Sequence, residues 1–146
     1  MAEAPSPDGE TQDRVLIFQP ETRQARAYRE LFEHNGYQAR TALPADDVQR
    51  ICEEVQPALV IFDMGFWEAD SALVFGILNN ALGFQRPVII GLSTLDVHTR
   101  RARRFGADAV WIRGVDDAVG LPRLAGQLLA ARRAGTLKVP QPKTPL

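Results

Sequence analysis

Five short apolar runs, separated by segments with helical periodicity, constrain the fold of this chain more than any other feature of its sequence. Continuous apolar runs bounded by turn residues are typical of strands buried on both faces of a parallel sheet. The strand candidates are RVLIFQ (14–19), YQARTAL (37–43), ALVIFD (58–63), RPVIIGLS (86–93) and DAVWIR (108–113). The helix candidates cover residues 24–36, 45–55, 69–83, 96–106 and 121–135.

The alternation of strand and helix predicts the fold class. Short links between the elements require parallel strands, right-handed crossovers and helices on both faces of the sheet. A chain of 146 residues, 45% of them hydrophobic, suits one such domain with a substantial core. We therefore predict an α/β three-layer sandwich over 14–134, a flexible polar leader at 1–13 and a Pro-rich tail or linker at 135–146.

The composition favours a cytoplasmic protein. No apolar run reaches membrane-spanning length, and the leader lacks the basic and apolar regions of a signal peptide. Cys52 is the only cysteine, so no intrachain disulfide can form. His34 and His98 have no metal-ligand spacing with each other or with acids, so we predict no metal site.

Four polar or charged side chains stand at the ends of predicted strands, namely Gln19, Asp63, Ser93 and Arg113. In sheets of this kind, functional groups gather at the carboxyl ends of the strands. We therefore expect these four residues to face one crevice.

Two aromatic residues follow the acid of this crevice. Trp67 lies in a loop that we expect to be exposed, where it would serve as a binding anchor or as a lid over the crevice. Phe66 has the same two interpretations open, packing under the loop or contact with a partner, and packing is the more common fate of aromatic side chains.

Four segments of the chain resemble the response-regulator receiver domain family, over about Arg14 to Arg133. RVLIFQPE, PALVIFDM, PVIIGLST and RRFGADAVWIRG resemble the first, third, fourth and fifth strands of the family with their flanking residues. The resemblance implies a flavodoxin-like (βα)5 fold with sheet order 2-1-3-4-5. It also implies that Asp63 occupies the phosphoacceptor position and Ser93 the position of the switch Ser/Thr.

The departures from the family pattern imply a degenerate member, or pseudo-receiver. Gln19 and Pro20 stand where the family has two metal-binding acids, and Glu21 is acidic but one place late. Val110 stands at the switch aromatic and Arg113 at the family's lysine. Because Mg²⁺ prefers carboxylate and other oxygen ligands, we expect no Mg²⁺ cofactor, and we expect no catalytic residues.

Arg113 provides a hypothesis for how the isolated acid is compensated. A buried carboxylate needs a partner, and arginine forms bidentate pairs with carboxylates. We hypothesise that Arg113 is the counter-ion of Asp63. The alternative is that Arg113 points to solvent and that water and loop amides bind the acid.

The charge distribution suggests a docking surface. Residues 1 to 85 carry 14 acidic and 6 basic residues, whereas residues 86 to 146 carry 4 acidic and 11 basic residues. The cluster Arg100, Arg101, Arg103 and Arg104 supplies much of the second excess. It is either a solvated helix face or a docking surface for an acidic protein, including a second copy that docks through the fourth helix, fifth strand and fifth helix. Nucleic-acid binding is not expected, because no aromatic residues are interleaved with these arginines.

The function that we predict is signalling by phosphorylation-independent protein–protein contact, without enzymatic turnover. Two alternatives remain open. One is a phosphoacceptor that receives phosphate on Asp63 from a histidine kinase and uses a nonstandard metal site. The other is a small-molecule sensor that uses the crevice at the carboxyl ends of the strands.

Overall fold

The computed structural model describes residues 12–42, 47–65, 71–94, 96–113 and 119–138 of the chain. The strands are β1 Arg14–Phe18, β2 Gln38–Ala42, β3 Leu59–Asp63, β4 Val88–Ser93 and β5 Ala109–Ile112. The helices are α1 Thr22–His34, α2 Val48–Val55, α3 Ser71–Asn80, α4 Asp96–Arg104 and α5 Gly120–Arg133. Among the described residues, no helix has both the length and the apolar character needed to cross a membrane.

The strands form one parallel sheet in the order β2-β1-β3-β4-β5, which confirms the predicted fold class and strand order. The predicted elements are all present, with ends that differ by a few residues. Helix α1 begins earlier than predicted because the Glu21 carboxylate accepts hydrogen bonds from the backbone N–H groups of Arg23 and Gln24. Helix α2 begins later than predicted because Asp47 caps it through the N–H of Arg50.

Each face of the sheet has its own apolar core, because successive side chains of a strand point to opposite sides. In β1, Leu16 and Phe18 belong to the core beneath α2, α3 and α4, whereas Val15 and Ile17 belong to the core beneath α1 and α5. Cys52 is fully buried in the first core, and this burial raises the pKa of its thiol to about 11. The thiol is therefore a packing group and not a nucleophile at neutral pH.

Helix α4 approaches β4 closely, and a glycine permits the contact. A Cβ at Gly91 would lie 2.9 Å from the Cβ of Ala102. The side of α4 that faces the sheet carries the buried residues His98 and Ala102, and Phe105, just after the helix, packs against the same core. The helical spacing of Val97, Ala102 and Phe105 predicts that all three face the sheet, and for Val97 this prediction was wrong, since 44% of its surface is exposed.

A polar cluster around Arg86 joins the elements at the amino edge of the sheet, opposite to the predicted crevice. The guanidinium of Arg86 donates to Asp108 Oδ2 at 3.1 Å and to Asn79 Oδ1 at 2.9 Å, and Arg132 donates to the carbonyl of Arg86 at 2.7 Å. Burial raises the pKa of Asp108, and this effect outweighs the opposite effects of the Ile89 N–H group and of Arg86. The cluster links α3, β4, β5 and α5 on the side away from the candidate site.

The first and last described segments of the chain meet beside β1. Asp13 forms an ion pair with Arg133, and its carbonyl accepts a hydrogen bond from the N–H of Gln38 at 2.9 Å. Beyond α5, Leu137 packs against the core of α1 and α5. Packed structure therefore extends a few residues before β1 and a few residues after α5.

Candidate functional site

The carboxyl edge of the sheet brings together Gln19, Asp63 and Arg113, three of the four residues that were predicted to face one crevice. Gln19 follows β1, Asp63 is the last residue of β3, and Arg113 follows β5. Ser93, the fourth, ends β4 at the same edge, and its carbonyl accepts a hydrogen bond from the N–H of Arg113 at 2.8 Å. Parallel pairing of β1, β3, β4 and β5 thus aligns the positions that the sequence separates widely.

Asp63 is almost completely buried and accepts hydrogen bonds from several donors. Its side chain is 3% exposed. Oδ2 accepts from Gln19 Nε2 at 2.5 Å and from an Arg113 terminal nitrogen at 2.7 Å, and Oδ1 accepts from the N–H of Gly65 at 2.8 Å. A buried carboxylate remains ionised at acceptable cost when charged and neutral hydrogen-bond donors replace the water molecules around it. Asp63 has both kinds of donor.

Arg113 forms the ion pair with Asp63 that was hypothesised from the sequence, and it also reaches helix α1. Its second terminal nitrogen donates to Gln24 Oε1 at 2.5 Å, and Gln19 Nε2 contacts the same oxygen at 3.3 Å. The four side chains of Gln19, Gln24, Asp63 and Arg113 therefore close a ring of hydrogen bonds, which we call the Asp63 ring. One negative and one positive charge balance within it.

The orientation of Gln19 in the ring is fixed by its three contacts. Its amide nitrogen donates to Asp63 and Gln24, and its amide oxygen accepts from the N–H of Glu21 at 3.0 Å. Gln19 is fully buried, so each of these contacts replaces one with water. A glutamine can satisfy all three partners at once, whereas an aspartate would add a second negative charge beside Asp63.

Glu21, one place after the expected acidic pair, has a structural role in the described structure. Its carboxylate binds the N–H groups of Arg23 and Gln24, both at 3.1 Å, and so caps helix α1. Pro20, between Gln19 and Glu21, is partly buried and has no side-chain donor or acceptor. The carboxylate that the sequence placed near the crevice is therefore engaged with the helix terminus.

Ser93 is held by helix α4. Its hydroxyl lies 2.9 Å from the hydroxyl of Thr99, and Ser93 is 1% exposed. Val110, at the switch-aromatic position, is partly buried and packs against the core of α2, α3 and α4. The link between Ser93 and Thr99 connects the carboxyl edge of β4 to the first turn of α4.

Two further residues lie beside the Asp63 ring, and sequence analysis assigned neither to the site. Burial raises the pKa of Tyr28, with a lowering effect of Arg113 and a smaller raising effect of Asp63, which places the phenol near both charges. A Cβ at Gly65 would lie 3.3 Å from Asp63 Oδ1 and 3.8 Å from His98 Cε1. The buried imidazole of His98 therefore lies next to the loop that follows Asp63.

The other predicted partner-binding residues fall into two groups. Phe66 and Trp67 lie outside the described residues. On α4, Arg100, Arg103 and Arg104 are exposed and Arg101 is partly buried. The exposed arginines extend from the face of α4 that is opposite to its buried side.

Oδ2 of Asp63, the acceptor within the ring, is engaged by a guanidinium and by an amide. A carboxylate oxygen that accepts from a guanidinium and an amide is a stabilised anion, and such contacts lower its reactivity as a nucleophile. Within the described part of the chain, no group of three or more His, Cys, Asp or Glu residues is placed to hold a metal ion.

Comparisons with known proteins identify the fold. No protein-family model matches the sequence, and no curated protein matches it. The signal receiver domain of a response regulator from Bermanella marisrubri matches with a TM-score of 0.67 and 23% identity, over 80% of this chain and 98% of that one. The receiver domain of a DNA-binding response regulator from Colwellia psychrerythraea 34H matches with a TM-score of 0.68 and 15% identity, over 82% and 99%.

A third solved structure is the receiver domain of a sensor histidine kinase from Pseudomonas aeruginosa PAO1, whose active-site cleft coordinates a magnesium ion. It matches with a TM-score of 0.66 and 14% identity, over 82% of this chain and 99% of that one. This chain therefore has the fold of response-regulator receiver domains, as the four resembling segments predicted.

Proposed function

We propose that this chain is a receiver-type signalling module that acts through protein–protein contact without phosphorylation of Asp63 and without enzymatic turnover. The fold supports the receiver-type assignment, and one contact carries the rest of the proposal. The guanidinium of Arg113 lies 2.7 Å from Asp63 Oδ2 and supplies the positive charge that the carboxylate requires. In this arrangement the charge of Asp63 is compensated from within the chain.

The donor set of the Asp63 ring does not fit a magnesium ion of the kind found in the Pseudomonas domain. Mg²⁺ requires near-octahedral oxygen ligation, usually with carboxylates and waters. The ring offers one carboxylate, and the amide nitrogen of Gln19 and a nitrogen of Arg113 already bind its Oδ2. A divalent cation at this oxygen would lie against the guanidinium of Arg113. The ring contains no second carboxylate that would offset the repulsion between the two positive charges.

Poor metal binding argues against efficient phosphorylation. Phosphoryl transfer depends on positive charge that neutralises the transferring oxygens, which a metal ion commonly supplies. The guanidinium of Arg113 is engaged with the nucleophile itself and with Gln24, so it does not replace the metal at the transferring group. We therefore propose that Asp63 serves as an anchor of the carboxyl edge.

A phosphodonor assay tests this proposal. Incubation with acetyl phosphate and Mg²⁺ should leave the intact mass of the wild type unchanged. The matched variant Gln19→Asp/Pro20→Asp/Arg113→Lys restores the family's acids and lysine, and it should gain one phosphoryl group that is lost when Asp63→Asn is added. Stoichiometric phosphorylation of the wild type, abolished by Asp63→Asn, would instead establish a phosphoacceptor with a nonstandard metal site.

The arginines of α4 support an acidic protein as the partner. Asp96 is the only acidic residue of this helix, which carries four arginines. A positively charged surface accelerates association with a negatively charged partner, and added salt weakens this electrostatic attraction. A second copy is one candidate partner, since the first 85 residues of the chain carry the acidic excess.

Charge reversal tests the docking surface. In sedimentation experiments and in capture of partners, Arg100→Glu/Arg101→Glu/Arg104→Glu should abolish binding that the wild type shows at low salt, while the melting temperature changes little. The double reversal Arg23→Glu/Arg26→Glu, on α1 on the other face of the sheet, should leave binding intact. Its charge-matched counterpart is Arg100→Glu/Arg104→Glu, which should weaken binding. Binding that is indifferent to salt and to the triple reversal would show that these arginines are a solvated face.

A further inference from the structure

We infer that a cavity beside the start of α1 binds a small oxyanion, with a phosphate group as the representative ligand. The cavity has a volume of about 150 Å³ and lies where β1 and β2 end. The polar side chains that line it are those of Gln19, Thr22, Arg26, Arg29 and Thr41. The cavity shares Gln19 with the Asp63 ring, but the proposed signalling role needs no ligand in the cavity, so the inference stands or fails separately from it.

The two arginines of the cavity, the exposed Arg26 and the partly buried Arg29, lack acidic partners within the described residues. Neither Arg26 nor Arg29 forms an ion pair among the described residues. Arg29 Nε is buried, and within that same part of the chain it has no hydrogen-bond acceptor. A buried donor without an acceptor is costly and rare in folded proteins, which points to an acceptor supplied from outside the chain.

The spacing along α1 directs these groups to one place. Thr22, Arg26 and Arg29 follow one another at intervals of four and three residues, which places them on the same side of the helix. Two guanidinium groups at such spacing repel each other until an anion lies between them. Guanidinium groups form bidentate hydrogen bonds to phosphate, and the hydroxyls of Thr22 and Thr41 can donate to its remaining oxygens.

The residues around the cavity determine which hydrogen-bond donors and how much space a ligand would find there. The amide nitrogen of Gln19 already donates to Asp63 and Gln24, so the arginines and threonines are the donors available to a ligand. The nearby Glu21 carboxylate is engaged with the N-terminus of α1 and lines an adjacent hollow with Arg26, not this cavity. Pockets for drug-sized ligands measure about 300–1,000 Å³, so this cavity accommodates the oxyanion itself with any substituent outside.

A titration with inorganic phosphate tests the inference. Phosphate replaces chloride at constant ionic strength while the Nε–H resonance of Arg29 is followed by NMR and the melting temperature by calorimetry. We expect a saturable shift of this resonance and a melting temperature that rises with phosphate. The affinity should fall on the order of tenfold or more in Arg26→Gln and in Arg29→Gln, because each removes a charged donor.

The control variants distinguish specific binding in the cavity from nonspecific attraction of phosphate to surface arginines. Arg104→Gln, an exposed arginine on α4, should bind phosphate like the wild type. Because Arg26 is exposed, Arg26→Gln remains informative even if Arg29→Gln does not fold. A second titration with glycerol 3-phosphate distinguishes a phosphorylated small molecule from free phosphate as the ligand. Tighter binding of the ester would favour the small molecule, and tighter binding of inorganic phosphate would favour the free ion. A linear response without saturation, or equal affinities in wild type and both arginine variants, overturns the inference.

Discussion

Removal of the Arg113 side chain should destabilise the domain mainly through the loss of its ion pair with Asp63. In Arg113→Ala, Asp63 keeps its neutral donors Gln19 and Gly65 but loses its cation. Loss of a hydrogen bond to a charged group costs about 1.5–3 kcal/mol, and an uncompensated buried charge raises this to roughly 3–5 kcal/mol. The Arg113 side chain is 25% exposed, so water can reach part of the vacated space. We therefore expect a decrease of about 2–3 kcal/mol in the free energy of unfolding.

The assay is urea denaturation followed by circular dichroism, within a double-mutant cycle. The cycle comprises the wild type, Arg113→Ala, Asp63→Asn and the double variant. Because the two side chains are in direct contact, we expect a coupling energy of about 1–3 kcal/mol. The exposed Arg104→Ala provides the reference for removal of an arginine without a buried partner, with an expected change within about 0.5 kcal/mol.

Two results would refute this reasoning. A coupling energy below about 0.5 kcal/mol, comparable to the additivity error for distant sites, would mean that Arg113 does not compensate Asp63. A loss in Arg113→Ala that equals that of Gln24→Ala, with full coupling to Gln24 and none to Asp63, would place the contribution of Arg113 in its contact with α1.

Three further predictions concern residues outside the ion pair. Burial holds the pKa of Cys52 near 11, so the wild type should lose about 2–3 kcal/mol of stability relative to Cys52→Ala as the pH rises from 9 to 11, measured by urea denaturation; identical pH profiles would contradict this. Gly91→Ala should cost about 1–3 kcal/mol, because the new methyl group would meet Ala102 at 2.9 Å, whereas Gly76→Ala, which meets nothing within 4 Å, should be neutral or stabilising. Glu21→Ala should lower the melting temperature, with a cost of about 1 kcal/mol for the lost helix cap, and an unchanged melting temperature would argue that the carboxylate serves the crevice instead.

The strand-end residues of the candidate site were predictable because parallel pairing places the carboxyl ends of all strands at one edge. This geometry was enough to bring Gln19, Asp63 and Arg113 together from positions far apart in the sequence. The direction of the Arg113 side chain was not predictable, since a flexible arginine at a strand end reaches either the acid or solvent. Gln24 was missed because polar residues on a helix are usually solvated; its only signal was its place one turn before Tyr28, on the same side of α1.

The environments of two other side chains depend on more than their positions in the sequence. Val97 was assigned to the sheet side of α4 by its spacing from Ala102 and Phe105, yet the intervals of four and three residues between His98, Ala102 and Phe105 place the histidine there. Glu21 was grouped with the crevice because it follows β1, but a carboxylate in that position is equally suited to cap the next helix.

The ion pair between Asp13 and Arg133 brings the start of β1 and the end of α5 close together in space. The residue that leads into β1 and the residue that ends α5 are in contact, although 120 positions separate them in sequence. A short peptide joining these ends would change the connectivity without displacing any strand from the sheet, and domains of this kind tolerate such permutation. The five strand–helix units could then be synthesised from a different starting unit and still assemble in the same spatial order.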